Sequence, residues 1–466
     1  MKTLTYTLWL YLALLTGFWL LSDPTPLASL DGFFAWRGVL MQYSGVLGIG
    51  VMSLAMLLAM RPRLLEAPLG GLDKLYRLHK WLGISGLVIS IAHWLLAKGP
   101  KWLVGLGWLE RPARKPRPPL EPGSWQQLLA QQRGLAEAVG EWAFYAAAAL
   151  MALALIKWFP YRRFVQTHRW ISLAYLALVF HTVVLVKFEY WQTPVGGLLA
   201  GLIGLGSVAG VMSLLGRRAG GCKVNGQIAA LEAHPELNAL SIDLQLQPGW
   251  PGHQAGQFAF FTFHPDEGPH PFTLASAWQP GEPCLGIVVK ALGDYTATLA
   301  ARLKVGDAVQ VEGPYGRFTF AGDARRQIWV GGGIGITPFL ARLQALAGHN
   351  DGKAIDLFYA TAEHDPAMIA RLQRDAERAR VNLHVLWEPR DGRLDTARLQ
   401  ALIPDWCHAD VWFCGPAGFG RMLREELQAV LGPLPALKWA QIITEKRATF
   451  ACTPGLRRPG TVTPEA

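Results

Sequence analysis

Cysteine is scarce in this 466-residue chain. There are five, Cys222, Cys284, Cys407, Cys414 and Cys452, and no two form a CxxC pair. That argues against a zinc ribbon or a cysteine-ligated iron–sulfur cluster. Their spread through the second half fits a reducing compartment. Charge is also sparse, at 17% of residues against 51% hydrophobic. The net charge of +10 raises nucleic acid as a partner. In a membrane protein, however, basic residues mark the cytoplasmic face, and no nucleic acid is expected here. There are no recognisable EF-hand loops, so calcium control is not implied.

Long apolar runs are abundant, and they are confined to residues 1–216. Six of them, near 4–22, 39–60, 79–97, 141–159, 168–187 and 195–215, are long enough to cross a bilayer. The first is read as a span rather than a signal peptide, because its n-region holds only Lys2 and its apolar run is long. Arg61, Arg63, Lys74, Arg77 and Lys80 surround the connection between spans two and three. Arg162, Arg163 and Arg169 lie between spans four and five, and Arg217, Arg218 and Lys223 follow span six. All three clusters fall on one side with both termini. This predicts a multi-pass protein of the inner (plasma) membrane with that side cytoplasmic. The loop 98–139 runs against the rule: it holds Arg111, Arg114, Lys115 and Arg117, yet six spans place it outside.

Only four of the twelve histidines precede residue 220: His79, His93, His168 and His181. They sit in or at the ends of spans three and five, in pairs 14 and 13 residues apart. Imidazoles in lipid are costly unless they have partners. Fourteen helical residues rise about 21 Å and return to within about 40° of the starting face. Thirteen rise about 19.5 Å but end roughly 140° away, so the second pair needs a kink, a π-bulge or another approach angle. Both helices run the same way, so His79 faces His168 at one depth and His93 faces His181 at another. Two facing imidazoles at each level could supply the axial ligands of two stacked b-type haems; the alternatives are polar residues satisfied by neighbouring helices and a proton path, which leaves the matched spacing unexplained.

After residue 220 the pattern changes. "KVNGQIAAL", "ALSIDLQLQ", "GQFAFFTFH" and "CLGIVVKAL" read as strands of a small barrel. Within it lies "HPFTLAS", where Pro271 fixes the backbone and Thr273 and Ser276 offer hydroxyls. In "KALGDYTATLAARL", Lys290, Gly293 and Thr296 precede or open a helix whose first amides suit a pyrophosphate. From about 325 the pattern is α/β. "RRQIWV" leads into "GGGIGITPF". Gly331, Gly332, Gly333 and Gly335 let backbone amides approach a phosphate, Thr337 is placed to N-cap the next helix, and Pro338 suits its first turn. This is not the GxGxxG fingerprint. Further strands in "AIDLFYAT", "NLHVLWE" and "ADVWFCGP" predict a parallel sheet with nucleotide at its carboxyl edge.

Together these residues resemble the ferric reductase and NADPH oxidase superfamily, from about residue 40 to 445. The resemblance implies a multidomain membrane protein. A six-helix transmembrane haem bundle (1–216) is followed by a flavin-binding β-barrel (217–323), an α/β parallel-sheet nucleotide-binding domain (324–446) and a tail (447–466). The family's haem histidines correspond to His79, His93, His168 and His181. Its HPFTxxS flavin motif matches His270, Pro271, Phe272, Thr273 and Ser276, and its glycine-rich nicotinamide motif matches Gly331 to Pro338. Its CGP motif matches Cys414, Gly415 and Pro416, which implies that Cys414 lies at the nicotinamide as the candidate catalytic residue. Members that prefer NADPH often carry an arginine after the second nucleotide strand. Here Ala362 and Glu363 stand there, with Arg390 or Arg393 as the substitutes, so NADH and NADPH both stay open. The family's flavin-covering aromatic has a poor match in Phe450.

The expected cofactors are FAD, two haem b and NADPH or NADH. The expected activity is transmembrane electron transfer from cytosolic NAD(P)H to an outer small-molecule acceptor. Ferric chelate is favoured, with superoxide-forming use of oxygen as the alternative. A third reading is a membrane electron-donor subunit for a periplasmic redox partner. Membrane lipid is the one partner the composition requires.

Overall fold

The computed structural model describes residues 2–23, 25, 27–110, 120–156, 159, 161–217, 220–431 and 437–441. Up to residue 216 the described residues form helices α1 (Lys2–Ser22), α2 (Gly32–Ala59), α3 (Arg63–Leu69), α4 (Leu72–Gly105), α5 (Trp125–Gln131), α6 (Arg133–Leu155), α7 (Tyr161–His168), α8 (Ile171–Leu185) and α9 (Pro194–Leu214). Six helical stretches are long and apolar enough to cross a membrane, and the fifth of them is α7 and α8 in series. Their apolar residues face all directions, as expected where lipid replaces water around a bundle. The helix that contains the expected span 79–97 extends past it at both ends. α4 runs 34 residues, about 51 Å, against about 30 Å of hydrocarbon. It therefore projects beyond the bilayer at one end or both.

Within the bundle α4 packs mainly on α2, and α8 mainly on α6 and α9. Tyr175 of α8 is fully buried, and its hydroxyl lies 2.8 Å from the hydroxyl of Ser53 on α2. A polar knot closes one end. Asp23, just past α1, accepts hydrogen bonds from Lys187 Nζ (2.9 Å) and from the Tyr190 hydroxyl. The Trp19 indole donates to the same Tyr190 oxygen at 3.0 Å. Burial alone would raise the Asp23 carboxyl, but the hydrogen bonds from Thr25, Tyr190 and Lys187 win and bring it down to about 2.

Beyond the bundle, strands β1 (Cys222–His234), β2 (Ala239–Leu246), β3 (Phe258–Thr262), β4 (His270–Thr273), β5 (Cys284–Lys290) and β6 (Ala308–Tyr315) form one antiparallel sheet. The order is β4-β3-β6-β1-β2-β5. A bridge between Leu274 and Ile287 brings its two edges together, so the sheet nearly closes into a barrel. Alternate residues point inward. Ile242, Leu244, Phe261, Ile287 and Val311 are all but inaccessible and form the barrel core. β6 is a strand that the sequence reading does not contain, and it lies at the centre of the sheet.

A one-turn helix, α10 (Leu299–Arg302), precedes β6. The last domain then alternates β7 (Arg326–Gly332), α11 (Thr337–Gly348), β8 (Ala354–Thr361), α12 (Pro366–Ala379), β9 (Asn382–Trp387), α13 (Glu388–Asp391), α14 (Thr396–Leu402), β10 (Asp410–Gly415), α15 (Ala417–Leu431) and β11 (Leu437–Gln441). All five strands are parallel, in the order β11-β10-β7-β8-β9. β10 is buried at every position and β7 at all but its first, as a sheet covered by helices on both faces requires. β11 is likewise absent from the sequence reading. The order reverses between β7 and β10, so the "GGGIGITP" turn and the "CGP" turn leave adjacent strand ends at one crevice.

Candidate functional site

The four bundle histidines meet in two pairs. The rings of His79 and His168 have centroids 6.0 Å apart at 70°, and those of His93 and His181 are 6.3 Å apart at 81°. Two imidazoles bound to one metal at about 2.0–2.1 Å, with about 1.1 Å from nitrogen to ring centre, have centroids about 6.2–6.4 Å apart. The two separations lie close to that spacing. α4 carries His79 and His93 on a single unbroken helix. On the other limb the helix breaks at Arg169–Trp170, between α7 and α8. That break brings two residues 13 apart to one face.

Second partners orient the rings. Nδ1 of His79 donates to the Ala55 carbonyl (2.9 Å), and Nδ1 of His181 donates to the Ala136 carbonyl (2.8 Å). Nδ1 of His93 lies 2.9 Å from the Ser44 hydroxyl, which itself donates to the Leu40 carbonyl at 2.6 Å. Nδ1 is thus the protonated nitrogen in three of the four rings, and Nε2 keeps its lone pair for a metal. His168 differs: its Nδ1 is buried and has no hydrogen-bond partner among the described residues.

Sequence reasoning misses the residues that make room for these rings. A Cβ on Gly140 would stand 1.9 Å from His181 Nδ1, so only glycine lets α6 approach. Arg37 is another. Pro100 lies inside α4 and has no N–H, which leaves the Leu96 carbonyl without its helical donor. Arg37 Nε on α2 donates to that carbonyl at 2.7 Å, one turn beyond His93. Proline four residues after a leucine was the available signal.

The barrel docks on the His79 end. Arg61, one of the basic residues that mark this side in the sequence, is buried (8% exposed) against Glu312 of β6, at 3.4 Å. Its guanidinium lies over the Phe260 ring, 3.9 Å from the centroid. Glu312 also accepts from the Tyr315 hydroxyl (2.7 Å) and pairs with Lys223 at 3.6 Å. Glu66 of α3 accepts from the Gly316 amide at 2.7 Å. Phe260 and Tyr315 pack with Leu72, Leu75 and Leu78, the two turns of α4 that lead into His79.

β4 holds His270, Pro271, Phe272 and Thr273 beside β3, with Thr273 opposite Phe258. His270 is buried and stacks on Tyr295, with centroids 4.2 Å apart at 22°. The Ser276 hydroxyl accepts from the Gly286 amide (2.8 Å), and the Ser276 carbonyl accepts from His253 Nε2 (2.9 Å). Burial lowers the His253 pKa, so the neutral ring holds this turn in place. At the expected pyrophosphate turn a helical segment does begin, and the amides that lead into it have partners within the chain. Thr296 opens a short 3₁₀ turn (Thr296–Thr298) that runs directly into α10, and its hydroxyl accepts from the Leu292 and Gly293 amides at 3.1 and 3.0 Å. Those two amides are thus satisfied within the chain by a local side-chain-to-backbone turn. Lys290 Nζ lies 2.5 Å from Glu363 Oε1, across the gap to the nucleotide domain.

The glycines of the β7 turn serve the chain first. A Cβ on Gly335 would be 2.1 Å from the Cys414 carbonyl oxygen, and one on Gly332 would be 2.8 Å from Pro416. One on Gly331 would press on Ile336 at 3.2 Å, and one on Gly415 would press on Gly332 at 3.1 Å. Gly333 alone has open space and a positive φ of 54°. It lines a cleft of ≈ 350 Å³ with Ala275, Ser276, Lys290, Ile334 and Glu363. Thr337 does not N-cap α11. It is already helical, because a 3₁₀ turn (Gly333–Ile336) runs directly into the helix, and its hydroxyl donates to the Ile334 carbonyl at 2.5 Å. Pro338 sits in the first turn.

Cys414 is buried at 5% exposure among Trp412, Phe339 and Ile336. Burial pushes its thiol up to about 12, so it offers shape and not a thiolate. In the folded protein iodoacetamide should modify exposed Cys284 and Cys407 and leave Cys414 unmodified at pH 8, as read by peptide mass mapping. Arg390 and Arg393 are exposed, engaged with Asp391 and Glu388, and do not line the cleft. Phe450 and the arginines and lysine at 111, 114, 115 and 117 lie outside the described residues.

Residues 44–179 match the family described as "Ferric reductase like transmembrane component", and residues 224–319 match an "FAD-binding domain" family. The chain is 29% identical over 180 residues to the flavohemoprotein of Bordetella pertussis, covering 34% of this chain and 44% of that protein. It is 31% identical over 165 residues to the carnitine monooxygenase reductase subunit of Escherichia coli, covering 35% and 49%. The chain thus spans about half the length of these curated relatives. Among solved structures, the flavohem-like FAD/NAD-binding domain of nitric oxide dioxygenase from Vibrio cholerae aligns with a TM-score of 0.41 at 21% identity. That alignment covers 48% of this chain and 99% of the other.

Proposed function

The chain belongs with the ferric reductase and NADPH oxidase superfamily, as a multi-pass NAD(P)H-dependent oxidoreductase with an FAD module, and from that premise we propose that it carries electrons across the membrane through two haem b groups to ferric iron. The observation that carries the reading is the pair of imidazole–imidazole separations, 6.0 and 6.3 Å, each suited to one iron. Bound flavin would accept two electrons from the nucleotide and release them singly, which haem iron requires.

The chain's residues would do the rest. His79 with His168 would hold the inner group, and His93 with His181 the outer. Ala55, Ser44 and Ala136 fix three of the ligand rings in the tautomer a metal needs. The β4 strand, Ser276, Lys290 and Thr296 are the flavin candidates. Gly333 with the Cys414–Pro416 turn would seat the nicotinamide half at the strand-order reversal. Docking of the barrel on the first turns of α4 favours electron entry at His79. Lys74, Arg77, Lys80, Arg163 and Arg169 on that side favour a cytoplasmic flavin domain in the plasma membrane. The description of the family that matches residues 44–179 supports ferric iron as the acceptor.

A spectrum of purified protein before and after NADH or NADPH tests the proposal. Reduced bis-imidazole b-type signals at about two haems per flavin are expected, with ferric-chelate reduction insensitive to superoxide dismutase. Folded, membrane-inserted protein without haem would end this reading. Dismutase-sensitive reduction would move the acceptor to oxygen, and haem reduction with neither acceptor would point to a periplasmic redox partner. Gly140→Ala supplies a finer check. Its methyl group forces the His181 ring away from α6, and the haem content should fall from about two to about one per flavin in a pyridine haemochrome assay.

A further inference from the structure

We propose that Lys98 and Trp94 on α4, bonded across to Glu141 and Tyr145 on α6, are positioning residues: they form a clasp that sets the separation of His93 and His181 and so holds the outer haem. This rests on the two-haem reading of the same histidines.

The two ligands of the outer pair stand on different helices. α4 carries His93, and α8 carries His181, whose Nδ1 is tied to the Ala136 carbonyl of α6 at 2.8 Å. The gap between the two rings therefore depends on how α4 sits against α6. Lys98 Nζ lies 2.6 Å from Glu141 Oε1. The Tyr145 hydroxyl donates to the same carboxylate oxygen at 2.8 Å and accepts from the Trp94 indole at 3.2 Å. The Trp94 ring also stacks on Phe144 of α6, with centroids 5.8 Å apart at 22°. Trp94 and Lys98 are four residues apart on one helix, and Glu141 and Tyr145 are four apart on the other, so each pair presents a single face. Both halves start one residue from the ligand set. Trp94 follows His93, and Glu141 follows Gly140, whose missing Cβ makes room for the His181 ring.

The setting separates this cluster from an ordinary surface pair. Glu141 lies within the fourth apolar helix, Arg133–Leu155, where an ionisable residue is costly and marks a function. Lys98 is five residues, about 7.5 Å, further out than His93. A lysine there ordinarily extends its head to the outer headgroups, yet this one turns to Glu141. Both side chains keep part of their surface open, 28% and 32%. At this depth that surface meets lipid, which weakens the attraction far less than water does.

The test uses the full-length protein and reads its haem-to-flavin ratio and its low-spin ferric EPR signals. The parent should show two signals and about two haems per flavin, and the outer signal is the one that His93→Leu removes. Glu141→Leu should weaken haem binding at the outer site about tenfold or more. The ratio should then fall toward about one, with the inner signal at its parent position. The double variant Lys98→Glu with Glu141→Lys keeps the ion pair with its ends exchanged and should recover the second haem. Tyr145→Phe removes one bond of the clasp and should shift the outer signal alone. A Glu141→Leu protein with two haems and both signals in place would overturn the proposal. Equal loss of both haems would do the same, since a general prop of the bundle has no preference for the outer site, and so would an exchanged pair that recovers nothing. A parent without haem would remove the two-haem reading itself and the clasp with it, a result distinct from a variant that matches a haem-loaded parent.

Discussion

His93→Leu is expected to stop electrons between the two faces of the membrane while reduction of flavin by NADH continues. His93 lies about 21 Å along α4 from His79, and His79 is the pair nearest the docked barrel. Leucine fills similar space in the helix but offers no nitrogen, so His181 would face an iron with one ligand. Anaerobic mixing with NADH should show normal flavin bleaching and reduction of the inner haem signal. Acceptor reduction should fall about a hundredfold or more. The matching change at His79 should block the first transfer, leaving the outer haem oxidised after flavin is reduced. Equal acceptor turnover in His93→Leu and the parent would mean that electrons leave by another route.

Glu312→Ala should separate the flavin domain from the bundle. Glu312 is buried (5% exposed) and faces Arg61, Lys223 and Tyr315. Removing it takes away the carboxylate 3.4 Å from the buried Arg61 guanidinium. Loss of one partner from a buried pair costs about 3–5 kcal/mol. Most of that would fall on docking, because Arg61 and Glu312 belong to different domains. Flavin reduction by NADH should persist, haem reduction should slow at least about tenfold, and limited proteolysis should cut more readily between residues 217 and 221. Glu312→Gln keeps the shape and one acceptor, and should be milder. If haem reduction in the alanine variant matched the parent, docking would be held by α3 and the apolar contacts alone.

Much of this was legible in the residues. The six apolar runs, the four histidines and the glycine-rich turn each carry a strong local signal. The 13-residue spacing even required a helix irregularity, and the break at Arg169–Trp170 supplies one. Three things were not legible. β6 carries "AVQVEGPY", where Glu312 reads as solvent-facing although tertiary contact buries it. Thr337 looks like a cap because a threonine before proline usually is one. Only the preceding 3₁₀ turn, set by packing against Cys414, removes the extended residue that a cap needs. Lys290 and Glu363 are 73 residues apart, and no local pattern brings them together.

The unequal build of the two histidine limbs sets what insertions and deletions the bundle tolerates. On α4 one added residue between His79 and His93 would turn the second ring by about 100° and lift it by about 1.5 Å, with no break to absorb the change. That limb acts as a ruler, and its length is fixed to the residue. On the other limb the Arg169–Trp170 turn stands between His168 and His181, so a change in length there can be taken up by reshaping a turn. Sequence drift in length should therefore collect at residues 169–170 and at the connections, and spare the stretch from His79 to His93.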